Sequence, residues 1–323
     1  MTDIRYVVLL AAALLVSISP GSPSSAQNWP QRTVKFIVPL GPGAGVDIGA
    51  RLFAEKLSQR WGQPVVVENR PGGDSIVAIT SFLSSDDHTL LFSPSAAFTA
   101  HPFQHEKVPY NFADLVPVAR VSNTLVAVAV PASLPVSSVR ELVELGQAQP
   151  GKLNWAGVTG AVDFTVDAFL REVGADIRKI PYRDSVQALS DLAEGRLQLY
   201  VAALAIVRPQ IEAGRVKLLA ITNGERAPTY PNIPTAAEAG YPTLAFDGLV
   251  GVFSQRSMSP DLRARISQDI LSVGNDPAIS SRLGATGQDV RPSAPEEFAA
   301  SIDKQRATVT AAAVRLGLKA AQQ

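Results

Sequence analysis

The stretch VKFIVPLGPGAGVDIGARLFAEKLSQRW (residues 34–61) decides the fold. Residues 34–38 form an apolar run of strand length that stops at Pro39. Glycines follow at alternate positions (Gly41, Gly43, Gly45), and then Ile48, Leu52, Leu57 and Trp61 recur near a helical period. Gly62 supplies the glycine that commonly ends a helix. A strand, a glycine-rich loop and a helix in this order belong to a parallel α/β sheet, whose loops at the carboxyl edge bind ligands. The loop amides and the helix N-terminus together favour an anion, so the stretch reads as a ligand cradle.

Working outward, strand-like runs alternate with helical patterns. Residues 65–68, a helical segment to Leu83 and a strand at 89–92 complete a βαβαβ order, which implies parallel strands with right-handed crossovers. Residues 118–130 are apolar over too great a length for one ordinary strand and suit a crossing between two lobes. A second set of units runs through strands at 153–156, 177–180, 197–201 and 216–222. Residues 244–253 suit the return crossing, and the chain from Pro260 onward reads as helical, with one more helix introduced by Pro292 to Pro295. The expected division is lobe 1 over residues 27–124 and 246–323, and lobe 2 over residues 125–245.

Near the start, Arg5 precedes an apolar core at residues 7–16, and Ser24-Ser25-Ala26 offers small residues for cleavage after Ala26. The apolar run is shorter than the ~20 residues that span a bilayer. Residues 1–26 are therefore expected to be a signal peptide and the remainder a soluble periplasmic protein. There are no cysteines, which excludes disulfides and a lipid-modified cysteine. Lys+Arg and Asp+Glu balance at 29 each, so neither nucleic acid nor an anionic membrane is expected as partner.

Several segments resemble the receptors of tripartite tricarboxylate transporters, the Bordetella uptake gene family. They are the opening strand and loop to Asp47, GQPVVVENRPG (62–72), VPY (108–110), PGKLN (150–154), IPY (180–182), IPT (233–235) with EAG (238–240), and PEEF (295–298). The resemblance covers the chain after residue 26 in order. It implies an α/β, two-lobed type II periplasmic-binding-protein fold. In such a fold a small carboxylated metabolite is held in the interlobe cleft, largely by loop backbone, and delivered to a membrane permease. It implies neither cofactor nor metal, and a monomer is expected. By position, the family's first-lobe loop falls on Gly43, Ala44, Gly45 and Asp47, with Ser93 and Ser95 after a later strand. The second-lobe loop falls on residues 157–163, including Thr159, Gly160, Ala161 and Asp163, with Tyr182, Asp184 and Ala202 following other strands.

The chain departs from the family in two places. The turn after Arg70 lacks two small residues, and Ala161, Val162, Asp163 and Phe164 stand where hydroxyl residues and a histidine are common. With Asp163 facing the ligand, this would favour a monocarboxylate over a dicarboxylate. Asp163 reads more readily as a helix N-cap. Asp47 is either a ligand contact or the acid favoured in a first helical turn. Tyr182 either meets the ligand or packs with its hydroxyl satisfied.

Three other motifs imitate known sites. The glycines with Glu68 loosely imitate a dinucleotide fingerprint, but the third glycine is one place late and no Lys-Ser/Thr follows. Gly73-Asp74-Ser75 imitates the nucleophile block of secreted serine hydrolases, but no histidine follows His105. A turn followed by a helix cap at Asp74 or Ser75 is the simpler account. His101 and His105 have metal-ligand spacing, but Pro102 lies between them and no third ligand accompanies them, so they read as surface loop residues. A secreted hydrolase using Ser75 and a ligand-sensing subunit remain the alternatives to a receptor.

Overall fold

The computed structural model describes residues 29–157, 160–182 and 184–321. The expected signal peptide and its cleavage point lie outside them. The first unit is β1 (Val34–Val38), α1 (Gly45–Trp61), β2 (Val65–Asn69), α2 (Ile76–Leu83) and β3 (Thr89–Pro94). β1 pairs in parallel with both β2 and β3, as the βαβαβ order required. Gly62 takes the left-handed conformation (φ 66°) and its N–H returns to the Ser58 carbonyl, ending α1. Two short helices follow, α3 (Ala96–Thr99) and α4 (His101–Gln104).

The long apolar run is two strands. β4 (Leu115–Thr124) and β5 (Val126–Pro131) are separated by Leu125 alone, and they belong to different sheets. Then come α5 (Val139–Ala148), β6 (Leu153–Gly157), α6 (Ala161–Glu172), β7 (Ile177–Lys179), α7 (Ser185–Ala193), β8 (Leu199–Ala203), α8 (Leu204–Glu212) and β9 (Val216–Ile221). The chain returns through β10 (Gly248–Gln255) and closes with α9 (Pro260–Gly274), α10 (Pro277–Gly284), β11 (Gln288–Ser293) and α11 (Pro295–Arg315).

Among the described residues, one sheet has the order β11-β4-β10-β3-β1-β2 and the other β7-β6-β8-β5-β9. Each is thus parallel on one side, with antiparallel strands contributed by the chain where it crosses between them. Helices α1 and α9 cover one face of the first sheet around Phe36, Phe53 and Phe92, and α2 covers the other around Ile37, Ile79 and Phe82. The second sheet is filled on one face by Trp155 and Phe169 and on the other by Leu192, Tyr200 and Val207. β11 was not expected. Its charged residues and Pro292 hide the strand alternation, and an edge strand tolerates both.

α11 joins the two halves. It packs on β4 and on α6, and its Val309 belongs to the second sheet's core. Within it, buried Gln305 accepts hydrogen bonds from Ser95 (2.7 Å) and Thr99 (3.2 Å) and donates to the Asp247 carbonyl (2.8 Å). Replacing Gln305 with Leu strands these groups at about 1–3 kcal/mol each where burial is complete. Gln305→Leu should therefore lose roughly 3 kcal/mol, a fall of roughly 6–12 °C in Tm for a chain of this size. Thermal and urea denaturation measure it, and a loss below about 1 kcal/mol would refute the role given to Gln305.

Candidate functional site

The carboxyl ends of β1, β2 and β3 face the N-terminus of α6 across a cavity of about 560 Å³. The volume suits a small metabolite. From the first half, β1 leads into Pro39, Leu40 and Gly41, the turn after β2 gives residues 71–75, and the last residue of β3 and the segment after it give Pro94, Ala96, Ala97 and Gln104. From the second half come Gly160, Ala161 and Val162. Asp74 is the single charged residue among these lining residues.

The turn after β2 has an unusual backbone. Gly72, Gly73, Asp74 and Ser75 have φ of 115°, 54°, 50° and 77°, a region that Asp and Ser seldom occupy. Two hydrogen bonds hold it. The Ser75 N–H donates to the Gly72 carbonyl (3.1 Å), and the Asp74 carbonyl lies 2.6 Å from His101 Nε2. A carbonyl only accepts, so Nε2 carries the proton and Nδ1 accepts from the Tyr110 hydroxyl at 2.5 Å. Burial pushes the His101 pKa below its ordinary value, against the opposing pull of the Asp74 carbonyl. Burial likewise raises that of Tyr110. His101 is fully buried in α4, which corrects its reading as a surface loop residue; the core, not solvent, receives its ring.

The opposite wall is the start of α6. Gly160 occupies its N-cap at φ 101° with no side-chain cap, so the first turn directs backbone N–H groups and the positive end of the helix dipole outward. A β-carbon on Gly160 would lie 3.8 Å from Gln104 Nε2, which places that amide opposite the helix end. Backbone donors, one amide and a mostly apolar lining can bind an anion without a cationic side chain.

The structure sorts the residues expected from sequence. Gly160 and Ala161 line the cavity, and Thr159 lies outside the described residues. Gly43, Ala44, Gly45 and Asp47 are set back from the wall, to which the loop contributes Pro39, Leu40 and Gly41. Asp47 is 1 % exposed and accepts from the Gly43 N–H (2.9 Å), Asn69 Nδ2 (2.8 Å) and Arg51 Nε (3.1 Å). Burial raises its pKa, but these bonds outweigh burial and leave it below the ordinary value. Gly45 packs against Gln288. Ser93 and Ser95 are buried, the first bonded to the Pro94 carbonyl (3.0 Å) and the second to Gln305.

In the second half, Asp163 is not the N-cap, which is three residues earlier. It is buried, bonded to Lys179, and raised in pKa by burial against the pull of that ammonium. Tyr182 donates to Asp191 (2.7 Å) and packs on the second core; burial and the Asp191 bond push its pKa up to about 12. Asp184 caps α7 through the Val186 N–H (2.8 Å), and Ala202 is buried within β8. Asp74, Gln104 and the Gly72-Gly73 pair escaped the sequence reading as ligand-facing groups. The available signal was the paired glycine after β2, at the same sheet edge as the cradle.

The profile described as the tripartite tricarboxylate transporter family receptor matches residues 49–314. A UPF0065 protein of Bordetella bronchiseptica is 30 % identical over 308 residues, covering 93 % of this chain and 89 % of its own. Two solved structures show the same fold. An R. palustris protein with adipate has 26 % identity and a TM-score of 0.78, over 90 % of this chain and 99 % of the other. MatC from Rhodopseudomonas palustris, with bound malate, has 25 % identity and a TM-score of 0.71, over 87 % and 100 %. The architecture is thus the two-lobed type II periplasmic-binding-protein fold, and the chain belongs to the tripartite tricarboxylate transporter receptor family.

Proposed function

We propose that the protein is a periplasmic solute receptor. It binds a small organic carboxylate in the cavity between the lobes and delivers it to a membrane permease of the tripartite tricarboxylate type, with no chemistry on the ligand. The observation that carries this reading is the wall itself. An uncapped helix end and a backbone-rich turn face each other across a space of metabolite size, and the related structures with bound adipate and malate hold carboxylates. In this reading residues 27–124 and 246–323 form one lobe and residues 125–245 the other, a division supported by the membership of the two sheets. The receptor acts as a monomer, after removal of residues 1–26.

A library of C3 to C8 mono- and dicarboxylates and aromatic acids should contain compounds that raise the Tm. At a hundredfold excess over Kd the gain is about 2.7 kcal/mol, or roughly 5–10 °C. Ester hydrolysis should stay at the level of buffer; turnover that disappears in Ser75→Ala would replace the receptor with a hydrolase.

The placement of the glycines separates wall from scaffold. Gly160→Val puts a branched side chain into the cavity mouth at a φ it resists, and should weaken ligand binding at least about tenfold, or 1.4 kcal/mol. Gly43→Val, set behind the wall at φ 86° with open space for its β-carbon, should cost about 1–2 kcal/mol of stability and leave the affinity of the folded protein near wild type. Calorimetric titration of both variants decides, and the reverse pattern would return the cradle to the first loop.

A further inference from the structure

Two motifs that the receptor reading leaves unused, Gly73-Asp74-Ser75 and His101 with His105, meet at one point of the cavity wall. His101 fixes the Asp74 carbonyl from behind, at 2.6 Å. His105 Nε2 is buried without a hydrogen-bond partner, 3.5 Å from Asp74 Oδ2, which is beyond a normal hydrogen bond. The Asp74 backbone is therefore pinned, while its carboxylate, half exposed (52 %), has His105 as an ion-pair neighbour at Oδ2 only when that ring is protonated. Among the described residues, that carboxylate borders a cavity with no other charged residue in its lining.

The two helix ends at the cavity are consequently unequal. The first turn of α6 also carries an acid, Asp163, but Lys179 neutralises it, so the positive end of that dipole remains available to an anion. Asp74 lies one residue before Ser75, the N-cap of α2, and its charge already occupies the field at that helix end. One wall accepts a carboxylate and the other opposes it.

We propose that Asp74 determines the ligand class of this site: a monocarboxylate held at the start of α6, with a hydroxyl or amine at its far end donating to Asp74. This rests on the receptor reading above. A second ligand carboxylate that reaches Asp74 is rejected. Two like charges 4 Å apart at an effective dielectric near 20 correspond to about a thousandfold in affinity; the exposure of Asp74 and salt reduce this to roughly tenfold. The preference expected from Asp163 thus transfers to Asp74, because Asp163 is paired away from the cavity.

The test is calorimetric titration of butanoate, 4-hydroxybutanoate and succinate, and of hexanoate, 6-hydroxyhexanoate and adipate, against wild type, Asp74→Asn and Asp163→Asn. Asn tolerates the left-handed backbone at position 74, so the turn is retained. In wild type, the hydroxy acid of the better-fitting length should bind about tenfold or more tighter than the matched dicarboxylate. Asp74→Asn should bring that ratio to within about threefold of unity, a shift in relative affinity that a merely structural residue would not cause. If carboxylates bind wild type but the ratio is unchanged in Asp74→Asn, or moves more in Asp163→Asn, Asp74 is not the selector and the receptor reading stands. If no carboxylate of either series, nor of the wider library, binds wild type, the receptor reading falls and this inference with it.

Discussion

The passage of the chain between its two sheets depends on the side chain of Asn223. Its Oδ1 accepts from the Val126 N–H (2.9 Å) and its Nδ2 donates to the Thr124 carbonyl (3.0 Å), bracketing Leu125. Leu125 itself donates to the Gly287 carbonyl and accepts from the Leu204 N–H. The return crossing is tied to the first, since Thr222 donates its N–H to Val126 and its hydroxyl to Phe246. A buried peptide group left unpaired costs about 1–3 kcal/mol, and Leu125 is 2 % exposed. The crossings therefore hold as one unit, and relative movement of the sheets must bend around them.

The ties farther out are weaker. Arg208 of α8 donates to the Ala285 and Gly284 carbonyls beyond and at the end of α10, and Arg291 of β11 pairs with Glu225 (2.5 Å). Glu225 is largely exposed, and exposed pairs contribute about 0–1 kcal/mol. Such contacts can exchange with water at little cost. The buried crossing cannot, and this contrast is what a receptor that opens and closes around a fixed hinge requires.

The layered α/β architecture was legible because strand runs and helical periods leave clear traces at residues 34–61 and in the units after it. The crossing at Leu125 was legible as an apolar run too long for one strand. β11 was not, since Asp289, Arg291 and Pro292 mask its alternation at a sheet edge. The site was legible only to the level of the loop. Sequence order identifies which turns lie at the carboxyl edge, but not which of their polar groups are already committed. Asp47, Ser95, Asp163 and Tyr182 all sit near strand ends, and each is bound to a protein partner. Asp74 looked like a turn residue, and it is one, but the positive φ of four successive residues places it in the lining.

A cavity of this composition limits how affinity can arise. The described lining residues include no Lys or Arg, so they offer the ligand no salt bridge and carry no cost of desolvating one. Hydrogen bonds from neutral donors to a charged group contribute about 1.5–3 kcal/mol each, and a helix end adds roughly 0.3–2 kcal/mol. Three such bonds and one helix end amount to about 5–11 kcal/mol, which spans Kd values from roughly 0.2 mM to about 10 nM. Reaching the stronger part of that range requires all the donors to be in place before the ligand arrives. The Gln305 contacts, the His101 bond to Asp74 and the Asp47 bond to Gly43 each hold a segment that leads into the wall. Many polar residues at the strand ends thus act on the ligand indirectly, by fixing the backbone that meets it.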